Sequence, residues 1–251
     1  MSDEIKSKRA IDKLKNTVIP VIAYGGVAGV MTGIVVSLFN IAATYISKYS
    51  FVIYQWFYDN PFYIPLMFLG LAALALITAL VHSRIPEVRG SGVPQTEGVL
   101  RGLLTFRWLR VLISTIALSF ISFFSGLSLG AEGPSVQIGA TTSAGAAKIM
   151  NVRMAWQRYV ITGGAGAGLA VAFNAPLTGL VFSLEECHRK FSPMLLLSSS
   201  AAIVSGTVVY RAINLAIFGH WEQHALFDLS KLQIELNDFN LYWMLLLLGL
   251  V

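Results

Sequence analysis

Residues 130 to 140, GAEGPSVQIGA, hold a single carboxylate, Glu132, with no other charge for about sixteen residues on either side. An ionisable group isolated in apolar sequence points to chemistry rather than to solvation. Pro134 follows it closely, and the same Gly and Pro pattern recurs in GSGVP at 90 to 94, with a third break in FNAP at 173 to 176. In each, Pro sits where a helix can begin, because its missing N–H is no loss in a first turn. The glycines ahead of it leave backbone amides uncovered. A helix start with uncovered amides is an anion site, carrying roughly half a positive charge and several unpaired donors. Two such starts, in GSGVP and GAEGP, aimed at one point would hold a desolvated halide without a full positive charge. A Lys or Arg there would bind the ion too tightly to release it. Ser91 adds a hydroxyl donor at the first start. Glu132, on the same helix end as the second, can fill the site when ionised and leave it when protonated, so it would act as a proton-dependent gate. The plainer reading is a helix cap, since acidic residues favour a first turn. At membrane depth, where Ser or Thr would serve, such a cap is expensive.

These residues need helices inside a bilayer to position them, and the composition agrees. Hydrophobic residues make up 55% of 251 and charged residues 12%, about half the charged share of a soluble domain. The mean hydropathy is +0.68. The first sixteen residues are polar and amphipathic, without the apolar core and small-residue cleavage site of a secretory signal. Val18 to Ile46 runs 29 residues without a charge, about 43 Å as a helix, which implies a tilted span. Pro61 to Val81, Val111 to Leu129 and Leu195 to Ile217 read as further spans. Ser135 to Ala147, Tyr159 to Val171 and Leu177 to Leu184 are apolar but short or Gly-interrupted, and Leu241 to Val251 begins another apolar run. Short pieces with Gly and Pro breaks suggest helices that start or stop at mid-depth, lining a watery cavity.

Of the 18 Lys and Arg, only Lys48, Arg211 and Lys231 fall outside the segments that strict alternation puts on the side of the N-terminus. This is the positive-inside pattern and predicts a cytoplasmic N-terminus. It also accounts for the sequence pI of about 9.4, so no nucleic-acid partner is inferred. The single cysteine, Cys187, cannot form an internal disulfide, and a thiolate metal site would need more of them. No cofactor or metal is expected. The aromatics from Phe51 to Phe62 read as an interfacial belt, and Trp221 to Asn240 as a polar outer connection.

GSGVP, GAEGPSVQIGA and GLAVAFNAPLTGLVFSLEE, in this order and at this rough spacing, resemble three signature elements of the CLC chloride channels and chloride/proton antiporters. The resemblance covers residues 17 to 251. It implies an all-α, polytopic transmembrane fold with tilted and half-length helices, the first repeat of an inverted-repeat architecture. It implies that chloride is coordinated by the Ser91 hydroxyl, by amides around Gly90, Ser91 and Gly92, and by amides around Ala131, Glu132 and Gly133. Glu132 would be the gate and external proton carrier. Glu186, the second acid of FSLEE, matches the internal proton-transfer glutamate of the antiporters, which favours coupled exchange over a passive channel. The residues themselves also allow Glu185 and Glu186 to be a solvated helix end beside His188, Arg189 and Lys190. The family further implies a homodimer with one pathway per subunit, in the plasma membrane. The sequence departs from the pattern at Ala131, where Arg or Lys is usual. It also matches only the first half of the family's membrane domain, so a pathway is expected to need the second half.

Two further motifs suggest other chemistry. GGAGAG at 163 to 168 resembles a dinucleotide loop but lacks the preceding strand and the later acidic residue; close helix packing through small residues explains it better. GLSLG at 126 to 130 matches the GxSxG nucleophile elbow, suggesting an intramembrane hydrolase built on Ser128. It would need a base, and His82, His188, His220 and His224 fall near segment ends or in the outer loop, which argues against it.

Overall fold

The computed structural model describes residues 14–105, 107–127, 129–188 and 191–219. Residues 1–13, the outer connection at 221–240 and the apolar run at 241–251 lie outside the described residues, as do Ser128, Arg189, Lys190 and the side chain of His188. Among the described residues every regular element is helical. In lipid a helix satisfies its own backbone groups, so apolar runs of this kind have no competing solution.

The first helix, α1, runs from Ile19 to Asp59, 41 residues. At roughly 60 Å it is far longer than the span expected to end at Ile46. The difference is physical: Lys48 ends the uncharged run, but neither Gly nor Pro occurs between Ile46 and Asp59, so nothing stops the helix. Hydropathy marks where lipid contact ends, not where hydrogen bonding does. In its last turns Tyr49, Phe51 and Tyr58 are exposed, while Ser50 and Tyr54 bond the Phe124 carbonyl. Next comes α2, Ile64–Arg84, which buries no residue. By length and composition, the helical stretches Lys15–Asp59, Pro61–Arg84 and Pro193–Phe218 can cross a membrane.

A short helix, α3 (Val93–Leu100), leads into α4 (Trp108–Phe124). The centre is the pair α5 (Glu132–Ile149) and α6 (Met154–Phe173). Both are continuous, so the glycines of α6 do not interrupt it as the sequence suggested. They let α6 approach α5 instead: a Cβ on Gly164 would strike the Ser143 side chain, and one on Gly139 the Gly164 carbonyl. The small-residue packing expected of GGAGAG is what the helices use. After Asn174, in the left-handed conformation (φ 50°), Pro176 opens the seven-residue helix α7 (Pro176–Phe182), which widens into a π-helical turn over Ser183–His188. The last described helix, α8 (Pro193–Phe218), packs along α1 and against α6. Hydroxyls bond between helices: Thr32 Oγ1 lies 3.1 Å from Ser143 Oγ, and the Ser205 hydroxyl donates to the Gly26 carbonyl at 2.9 Å.

Candidate anion and proton site

All three predicted helix starts form, and those in GSGVP and GAEGP come together. α3 begins at Val93 with Pro94 in its first turn, and the chain enters it through Gly92 at φ 87°, a left-handed backbone that glycine adopts without strain. The Thr96 amide and hydroxyl both donate to the Gly92 carbonyl, at 3.1 and 2.9 Å, closing that turn. α5 begins at Glu132 itself, two residues before Pro134. Neither start carries a side-chain cap, so their first amides are not taken up by a capping side chain.

The two starts touch. A Cβ on Gly92 would lie 2.7 Å from the Gln137 Cβ and 3.1 Å from the Gly133 carbonyl oxygen, and one on Gly133 would strike the Ser91 carbonyl. GSGVP and GAEGP, forty residues apart in sequence, thus meet tip to tip, and only glycine permits the approach. Gly90 and Ser91 are exposed, Gly92 is buried, and Glu132 and Gly133 are half-buried.

Gln137 holds this contact and was not singled out from sequence. It is 2% exposed; its Nε2 donates to the Glu87 carbonyl at 2.6 Å, and its Oε1 accepts from Thr115 Oγ1 at 3.2 Å. It therefore ties the approach to α3, and α4, onto α5. The signal available was the single amide side chain of α5, five residues beyond Glu132.

Ala131 is 8% exposed and packs among Phe39, Phe123, Val171 and Tyr210. The position where the resemblance expects Arg or Lys is a methyl group built into the apolar core beside the α5 start.

Glu186 lies on another element. With Glu185 it lines a cavity of about 600 Å³ whose other walls include Val93, Leu169 and Leu177. Val93 is the first residue of α3, so this cavity reaches from the two carboxylates to the helix that presents Ser91. Both glutamates are exposed and both line the cavity, so its geometry does not separate their roles. Next to Glu186 in the chain, Cys187 is 4% exposed and lies in an apolar cluster with Leu100 of α3. Burial, and then the nearby carboxylates of Glu97 and Glu186, push its thiol up to about 12. Glu97 is itself paired with Arg101 at 2.9 Å. No group of His, Cys, Asp and Glu suited to a metal occurs among the described residues.

A helical fold with these elements has known counterparts. Residues 70–251 match the family described as voltage gated chloride channel. The H(+)/Cl(-) exchange transporter ClcA of Yersinia pseudotuberculosis is 30% identical over 256 residues, covering 99% of this chain and 52% of that protein. ClcA of Salmonella paratyphi B is 32% identical over 252 residues, covering 99% and 51%. The chain spans about half the length of these relatives. Among solved structures, a slow cyanobacterial Cl-/H+ antiporter superposes with a TM-score of 0.72 at 29% identity, over 91% of this chain and 53% of that one. A eukaryotic CLC transporter shares the fold, with a TM-score of 0.63 at 23% identity over 76% and 38%. With an all-helical architecture, the family's motifs in order and a family match over most of its length, the chain belongs to the voltage-gated chloride channel (CLC) family.

Proposed function

We propose that the protein carrying this chain exchanges chloride for protons across a membrane. On this reading chloride is held by the Ser91 hydroxyl and by backbone amides of Gly90, Ser91, Gly92, Ala131, Glu132 and Gly133. Glu132 is the gate and outer proton carrier, and Glu186 the inner one. The observation that carries the reading is the contact between two helix starts, neither with a side-chain cap, at the only acid of α5. Converging amides favour a desolvated anion over water, and a carboxylate on the same helix end competes for the same donors. Protonation removes the competitor, which links anion passage to proton binding. The relatives named as H(+)/Cl(-) exchangers support the same assignment, and the cavity joining Glu186 to the start of α3 supports an inner proton entry. Family membership sets aside the hydrolase reading of Ser128.

A complete pathway on this proposal needs the second half of the membrane domain, and the assembly is a homodimer in the plasma membrane with the N-terminus cytoplasmic. The exposed apolar residues of α8, Val204, Val208 and Leu215, are available to lipid or to a second subunit.

The test uses the intact protein in liposomes under a chloride gradient with external pH recorded. Protons should move against their own gradient in the native protein. Glu132→Ala and Glu186→Ala should both keep chloride flux and lose proton movement. Chloride flux with no proton movement in the native protein would make it a passive channel and return Glu186 to a solvated helix end.

A further inference from the structure

The Glu132 carboxylate rests against a residue that has no side chain. A Cβ built on Gly130 would collide with Glu132 Oε2 and stand 2.7 Å from its Cδ and 3.1 Å from its Oε1. The three nearest atoms to that virtual Cβ all belong to the Glu132 carboxylate. The side chain is thus folded back along the chain onto the bare Cα of Gly130. Ser91 and the other helix tip lie instead against Gly133, on the far side of Glu132 in the chain.

Gly130 differs from the glycines that the backbone demands. Gly126, Gly92 and Gly90 have positive φ, and Gly130 does not, so an L side chain is acceptable to its main chain. Nor does Gly130 admit a neighbouring helix, as Gly133 and Gly139 do. Among the described residues, it is the Glu132 carboxylate that occupies the space a side chain at 130 would take.

We infer that Gly130 is a positioning residue for the gate: its missing side chain is the seat that Glu132 occupies when its carboxylate is withdrawn from the contact between the two helix starts. The inference rests on the gating role proposed for Glu132. A methyl group at 130 fills the seat. The carboxylate, being the flexible partner, is driven off it and left to compete with the anion for the amides of the two tips. Anion passage then slows although no ligand to the anion has been changed.

The experiment is a double-mutant cycle on the intact protein in liposomes, with chloride efflux and proton uptake both followed. Gly130→Ala should slow chloride turnover roughly tenfold in the native background, and by less than about twofold in Glu132→Ala, where no carboxylate needs a seat. Equal slowing in both backgrounds would mean that the methyl acts on the amides or the fold, and overturns the inference; so does unchanged turnover in Gly130→Ala. Should Gly130→Ala not insert, Glu132→Asp withdraws the carboxylate from Gly130 by one methylene and leaves the glycine intact. Turnover as fast as native in that variant overturns the inference equally. Failure of the gating role is seen separately, as proton coupling that persists in Glu132→Ala alone.

Discussion

At the scale of single residues, the groups around the site divide by whether their chemistry or their shape matters. Gln137 contributes shape and two hydrogen bonds. Gln137→Leu keeps the volume but orphans the Glu87 carbonyl and the Thr115 hydroxyl. A buried group left without its partner costs about 1–3 kcal/mol, so the variant should unfold at lower temperature by a corresponding amount, measured by thermal unfolding in detergent. Its chloride affinity should fall with it, because the two tips are no longer fixed to one another. An unchanged melting temperature would show that the hydrogen bonds are replaced by others. Cys187 illustrates the opposite case, a reactive group made inert by its surroundings. Its thiol is pushed up to about 12 by burial and by Glu97 and Glu186, and thiolate is the reacting form. It should resist maleimide at pH 8 in the folded protein and label rapidly once denatured, as followed by intact mass.

At the scale of elements, the helices are held by close approach rather than by large side chains. α1 and α8 cross where a Cβ on Gly29 would run into the Ala202 carbonyl and the Ser205 hydroxyl, and one on Gly33 would stand 2.6 Å from the Gly206 carbonyl. In a bilayer, apolar surface gains nothing by leaving lipid for protein, so contact area and hydroxyl bonds must hold helices together. Gly29→Leu should therefore cost about 1–3 kcal/mol, the usual range for overpacking. Gly26→Ala, on the same helix with nothing within 4 Å of the added methyl, should be nearly neutral. Size-exclusion profiles after graded heating compare the two directly, and equal losses would mean that the α1–α8 contact is not limiting. The same logic explains why α5 and α6 carry so few large residues although they form the centre.

At the scale of the whole molecule, the distribution of Lys and Arg predicts which end of each helix meets the cytoplasm. Tyr58, at the far end of α1, is 84% exposed, and Met154, at the start of α6, is 81% exposed; the positive-inside pattern assigns them to opposite sides. In intact cells, Tyr58→Cys should label with a membrane-impermeant maleimide from outside. Met154→Cys should label only after permeabilisation, and the buried Cys187 should add little background. The reverse result would invert the topology and place the Glu132 end of α5 on the cytoplasmic side.

The helical membrane class, most of the helices and the places where helices start could be read from the chain, because each depends on local facts. An apolar run must be helical in lipid, and a Pro behind glycines begins a helix whatever lies around it. The family motifs added an expectation for Glu132 and Glu186 from residue types in fixed order. What could not be read is everything that depends on residues distant in sequence sharing a place. The length of α1 beyond Lys48 follows from the absence of a breaker rather than from any positive signal. The continuity of α6 through its glycines depends on α5 packing against it. The pinning of both tips by Gln137 arises only when α3, α4 and α5 meet, and the core position of Ala131 only when α1, α4, α6 and α8 close around the α5 start. Backbone hydrogen bonds are settled within a few residues, whereas contact, burial and the direction of a side chain are settled by neighbours that only the packed structure supplies.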